Sequence, residues 1–172
     1  MLLVVAKPRD LPAVAALVNS AYRGPEARKG WTTEAAFMGG ERTNAETLAA
    51  DLAAKPGSVI LTLRDNEYDA PFACVWLEPQ ADDVWLLGML AVAPDLQDRG
   101  AGRALIDTCE AYVKARSGKA IKMTAIEGRD TLIAWYERRG FRQTGFEPFP
   151  YNDRRIGDTR GELRFVVLTK AL

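Results

Sequence analysis

The stretch that most constrains this chain is Gln97-Asp98-Arg99-Gly100-Ala101-Gly102-Arg103-Ala104. It follows the apolar run Leu86-Leu87-Gly88-Met89-Leu90-Ala91-Val92 and opens a helical pattern. A strand, a tight glycine loop and a helix start, in that order, make a place for a phosphorylated ligand. The first N–H groups of a helix lack intrahelical partners, and the helix dipole adds about half a positive charge there. Gly100 and Gly102 put no Cβ between phosphate oxygens and the backbone. Arg99 and Arg103 add charge at the loop.

Several other chemistries are excluded. The chain has no histidine, which removes Ser-His-Asp and Cys-His arrangements. With only Cys74 and Cys109 as thiols, no zinc-type ligand cluster can be assembled. No G-x-x-x-x-G-K-[ST] occurs, and Leu105 stands where a dinucleotide fingerprint needs its third glycine. Length, 172 residues, suits one domain over 1–172 with a sizeable core. The formal net charge is zero, so no basic footprint points to nucleic acid. The start, Met1-Leu2-Leu3-Val4-Val5-Ala6-Lys7-Pro8, is too short and lacks the basic flank of a signal peptide. No apolar run approaches the roughly 20 residues that span a bilayer. Cys74 and Cys109 lie in apolar patterns and read as buried free thiols of a reducing compartment. The expected location is cytoplasmic, away from membranes.

Periodicity orders the elements. Residues 2–6 read as a strand, and Asp10 is expected to cap a helix with Val14, Leu17, Val18 and Ala21 as its apolar stripe. Thr43-x-x-Glu46 spells a capping box for a short helix that Pro56-Gly57 ends. Residues 59–63, 72–77 and 84–92 are strand-like, turning at Asp65-Asn66 and Asp82-Asp83. The helix after the glycine loop buries Leu105, Ile106, Cys109, Tyr112 and Val113. Residues 121–126 form a strand. Asp130 is expected to cap a helix running to about Arg139, with Gly140 past its end. Residues 141–146 and 163–168 are the final strands, joined by a long connection. The fold class is α/β, with a mixed sheet flanked by helices.

The spelling Val92-x-Pro94-x-x-Gln97-x-x-Gly100-x-Gly102 resembles the coenzyme A loop of the GNAT family of N-acetyltransferases. Ala134-Trp135-Tyr136-Glu137-Arg138-Arg139-Gly140-Phe141 is similar to that family's helix-to-strand segment, and the two blocks occur in the family's order. The resemblance implies a centrally splayed sheet holding acetyl-coenzyme A in the gap. It implies that Leu90, Ala91 and Val92 pair with the pantetheine arm, and that Gln97, Asp98, Arg99 and the residues on to Ala104 cradle the pyrophosphate. Where the family often has Asn, this chain has Arg129, which can serve as a phosphate or carbonyl contact. Two readings of Tyr136 stay open: proton donor to the departing thiolate, or an aromatic packed beside Trp135.

The implied reaction is direct transfer of an acetyl group to a primary amine, with the backbone amide near Leu90 on the oxyanion and no metal. A lysine-like amine has a pKa near about 10.4, so it must lose a proton before attack. Glu34, Glu78, Glu127 or water are the candidate acceptors of that proton. Tyr22, Trp31, Phe149 and Tyr151 are expected to wall the acceptor pocket. Arg23, Arg28, Lys29 and Arg42 make that part of the chain basic, which suits either an anionic small acceptor or a solvated loop. A small-molecule amine is the expected partner, and the resemblance is compatible with a homodimer, since family members are often dimers. The alternatives are a protein lysine or N-terminal acetyltransferase and an acetyl-coenzyme A sensor without turnover.

Overall fold

Successive side chains of a strand point to opposite faces, and in the middle of this sheet both faces are apolar. From β2 (Val59–Arg64) and β3 (Ala73–Pro79), Leu61, Leu63, Ala73, Val75 and Leu77 enter one core, while Ile60, Cys74 and Trp76 enter another. Such strands need cover on both sides. In the computed structural model, which describes residues 1–34, 36–37, 39–150 and 162–172, helices supply it. The first core takes α4 (Ala101–Lys114) and α5 (Asp130–Glu137) through Leu105, Ile106, Cys109, Val113 and Ile133. The second takes α1 (Leu11–Tyr22) and α3 (Ala45–Ala54) through Val14, Leu17, Val18 and Leu48. A single turn, α2 (Gly24–Ala27), follows α1.

The described residues form a seven-stranded sheet. Its order is β1 (Leu2–Val5), β2, β3, β4 (Val84–Val92), β5 (Ala120–Ile126), β7 (Arg164–Ala171), β6 (Arg142–Pro148). β1 to β4 are an antiparallel meander. β5, β7 and β6 are antiparallel as well, and β4 meets β5 in parallel.

The expected helices and strands are present, with corrections at their ends. Asp10 does stand before α1, but its carboxylate accepts the Lys7 N–H at 2.7 Å and pairs with Arg64 at 3.1 Å, so its side chain braces the preceding turn and does not cap α1. The cap of α3 is Asn44, whose Oδ1 accepts the Thr47 N–H at 2.9 Å, so the Thr43-x-x-Glu46 box is one residue out. Asp130 is the first residue of α5, and Arg129 holds the cap position. Tyr112 is only half-buried, packed edge-on against Trp85. Cys74 and Cys109 are buried free thiols, and burial pushes each up to about 12, away from nucleophilic use. Among the described residues no helix is long and apolar enough to cross a membrane.

Candidate active site

β4 and β5 pair only at Val84, Trp85 and Leu86 with Ala120, Ile121 and Lys122. Beyond that point β4 continues on β3 and β5 continues on β7. The sheet therefore opens into a gap between the C-terminal halves of the two strands. β4 also bulges there. Cys74 faces Ala91 and Trp76 faces Gly88, so Val75 alone opposes both Met89 and Leu90. Met89 takes a positive φ of 51°. A bulge of this kind re-aims the backbone at a site.

On one side the gap opens to the glycine loop as a cavity of about 260 Å³. Gly100 has φ +87°, a conformation that side-chain-bearing residues rarely adopt. The helical ladder starts with the Ala104 N–H donating to the Gly100 carbonyl at 3.0 Å. The N–H groups of Ala101, Gly102 and Arg103 thus have no backbone partner among the described residues. A Cβ on Gly102 would lie 3.2 Å from the Trp135 ring, so the loop is seated tightly on α5. Trp31 crosses above, with its ring 6.0 Å from that of Trp135. Two donors in this wall, Trp31 Nε1 and Arg139 Nε, are buried without a partner among the described residues.

On the other side a second cavity of about 360 Å³ runs toward α3 and β7. Its wall carries a buried charge cluster. Glu34 is met by Arg42 at 2.6 Å, Arg23 at 3.2 Å and Arg129 at 3.5 Å. Burial alone would raise the Glu34 pKa, but Arg42, then Arg129 and Arg23, outweigh it and hold the carboxyl below its ordinary range. Glu78 lies on the same wall and accepts from Lys55 at 2.9 Å, Trp76 Nε1 at 3.2 Å and Gln80 at 2.7 Å. These bonds overcome its partial desolvation and keep it below its ordinary range too.

Tyr22, Leu90, Leu132 and Tyr136 border both cavities. The Tyr22 hydroxyl donates to the Leu90 carbonyl, and burial pushes its pKa up to about 12. Tyr136 is 3% exposed and packed edge-on against Trp135 and Phe141 at 4.9 and 5.7 Å. Its hydroxyl has no hydrogen-bond partner among the described residues, and burial raises its pKa. The aromatic packing and the free hydroxyl coexist in one side chain.

The expected site residues divide accordingly. Leu90, Val92, Asp98, Gly100, Gly102 and Arg103 meet at the loop-side cavity, as does Trp31, which was expected on the acceptor side. Gln97 is there too, but its amide is already engaged. It accepts the Trp31 N–H at 3.0 Å and donates to Thr32 Oγ1 and the Val92 carbonyl. Arg99 is exposed, Ala101 and Ala104 stand in the first turn of α4, and the Ala91 side chain, on β4, is buried in the core under α1 and α3. Arg129 is not at the loop: it donates to the Thr32 carbonyl and pairs with Glu34 on the opposite side. Phe149 lines the second cavity and packs on Phe165 at 4.9 Å. Arg28 is exposed and borders neither cavity, and Lys29 pairs with Glu26 at 2.5 Å. Glu127 is also apart, paired with Arg164. Tyr151 lies outside the described residues. Sequence reasoning missed Leu132 and Arg139. Leu132 shares one face of α5 with Trp135 and Tyr136, and Arg139 follows at the same helical spacing in the turn just past the helix, a pattern visible in the sequence.

The family model described as the acetyltransferase (GNAT) family matches residues 17–141. Among curated proteins none matches this sequence. The ribosomal-protein-S18-alanine N-acetyltransferase from Escherichia coli superposes with a TM-score of 0.72 at 19% identity, covering 99% of this chain and 92% of that one. The ribosomal-protein-alanine N-acetyltransferase from Brucella melitensis gives 0.71 at 20%, covering both chains in full. IAA acetyltransferase from Bacillus cereus gives 0.67 at 12%, covering 99% of each chain. At these identities the likeness is one of fold. The matched family span contains the bulged strand, the glycine loop and α5, and the chain belongs to the GNAT family as an acetyl-coenzyme A-dependent N-acetyltransferase.

Proposed function

We propose that this enzyme acetylates the primary amine of a small molecule, with coenzyme A on the loop side of the gap and the amine on the other. The observation that carries the reading is the meeting of the two cavities at Leu90 and Tyr136. The free amides of Ala101, Gly102 and Arg103 suit the pyrophosphate, and the unpartnered Trp31 Nε1 and Arg139 Nε are further donors for the same ligand. A second cavity of about 360 Å³ is of the size that holds small ligands.

In the proposed reaction the amine nitrogen attacks the thioester carbonyl, and the Leu90 N–H stabilises the oxyanion. The carbon–sulfur bond breaks and the thiolate takes the Tyr136 proton. The amine's proton leaves through water to Glu78, which has a place on the cavity wall; Glu34 lies under three guanidiniums. The burial that raises the Tyr136 pKa also makes a thiolate beside it more basic, so the transfer is not defeated.

Tyr136→Phe tests the assignment. It keeps the ring and its packing, so the melting temperature should barely move. General acids contribute typically about 10²–10⁴-fold, and kcat should fall by about 10²-fold with a working amine, because a thiolate is a tolerable leaving group. A normal kcat would leave Tyr136 with packing alone.

A further inference from the structure

The charge cluster on the acceptor side is built mostly of cations among the described residues. One carboxylate, Glu34, faces three guanidiniums. Lys55 is paired to Glu78, and Asp51 also stands on the wall, so among the described residues four cations and three anions line the cavity.

The three arginines are not equivalent. The side chains of Arg23 and Arg129 are only 5% and 7% exposed, and each also donates to a carbonyl, Gly39 and Thr32 respectively. The Arg42 side chain is 29% exposed and borders the cavity. Its Nη1 is held by Glu34, and its guanidinium carbon lies 4.2 Å from the centroid of the Tyr22 ring. Its backbone N–H is fixed by Asn19 Oδ1 at 2.7 Å. Among the described residues its Nε and Nη2 have no hydrogen-bond partner. A guanidinium pinned on one nitrogen, stacked on a ring and left with open donors is already organised for a carboxylate.

Its position defines what that carboxylate belongs to. Arg42 lies on Tyr22, and the Tyr22 hydroxyl bonds to the Leu90 carbonyl, where the two cavities meet. An anion on Arg42 is therefore one aromatic ring away from the acyl-transfer point. We infer that the acceptor is a small amine bearing a free carboxylate, an amino acid, with Arg42 as its carboxylate-binding residue. This inference rests on the acyl-transfer reading above.

The test compares free L-amino acids with their C-terminal amides, following thiol release from acetyl-coenzyme A. Calorimetry of the same acids on the coenzyme A-loaded protein supplies a readout independent of turnover. The expected result is a preference for acids over amides in kcat/KM. Arg42→Gln should raise the KM for acids by roughly ten- to a hundred-fold and leave amides nearly unaffected. Arg42→Lys, which keeps charge without the fork, should fall between. Amides used as well as acids would overturn the inference and leave acyl transfer standing. Acids that bind the wild type but not Arg42→Gln, with no amine acetylated, would uphold the anion site and sink the small-amine reading. Neither binding nor turnover would overturn both.

Discussion

The two sides of the gap are built by opposite means. The loop side is made from consecutive residues, with backbone amides at the start of α4 and a glycine at φ +87° to shape the turn. The acceptor side is made from side chains far apart in sequence, Arg23, Glu34, Arg42 and Arg129, held by mutual charge. A backbone site keeps its shape when surface side chains change. A side-chain site exists only while its charges balance, and removing one member leaves the others buried without compensation.

The largest expected effect lies on the charge-built side. Glu34→Gln leaves three guanidiniums around a neutral amide, and breaking a buried pair in this way typically costs about 3–5 kcal/mol. Chemical denaturation measures it, and wild-type stability would show that the cluster does not hold this side together. The pH dependence has a definite sign. The folded Glu34 pKa is depressed, so its contribution is present above the unfolded value of about 4.3 and is lost as pH falls through the folded value. The acid limb of the stability profile should be flatter in the variant.

Gly102→Glu probes the other construction. It puts bulk and negative charge among the free amides, and losing two charge-assisted bonds would weaken coenzyme A binding by roughly hundreds-fold. The new side chain also meets Trp135, so the melting temperature is measured beside the calorimetric Kd. Unchanged affinity in a folded variant would remove the loop as the phosphate cradle.

The smallest effect sharpens the boundary of the acceptor side. Arg28→Ala with Lys29→Ala should leave the melting temperature and both kinetic constants as they are, because both residues are exposed and neither borders either cavity. A raised acceptor KM would return these two to the site.

This contrast also explains what could be read from the sequence. β4 was legible to the residue because an apolar run ended at Pro94 and a glycine loop, and those signals are local. Tyr136 and Leu90 came to one point because the strand-loop-helix order places them there. The basic character around Arg23 to Arg42 was visible, but not which arginines turn inward. Arg28 and Arg42 are equivalent as letters, and only Tyr22 and Glu34, brought near by the fold, separate them. Arg129 was expected as a phosphate or carbonyl contact to the cofactor, and nothing local announces its bond to the Thr32 carbonyl. The cap of α1 went astray for the same reason, because Asp10 is recruited by Arg64, a partner distant in sequence; that of α3 did so locally, because Asn44 competes with Thr43 one residue away.

The short parallel seam has a further consequence. Three residue pairs join β4 to β5, and everything else in the sheet is antiparallel. The sheet is thus two leaves made in succession by the ribosome, one from residues 1–92 and one from residues 120–172. Neither leaf alone encloses the gap. A ligand seated across it binds only the assembled protein, and at about 100-fold above its Kd it stabilises that state by about 2.7 kcal/mol. The persistence of such a chain against unfolding and proteolysis then tracks the supply of its own cosubstrate.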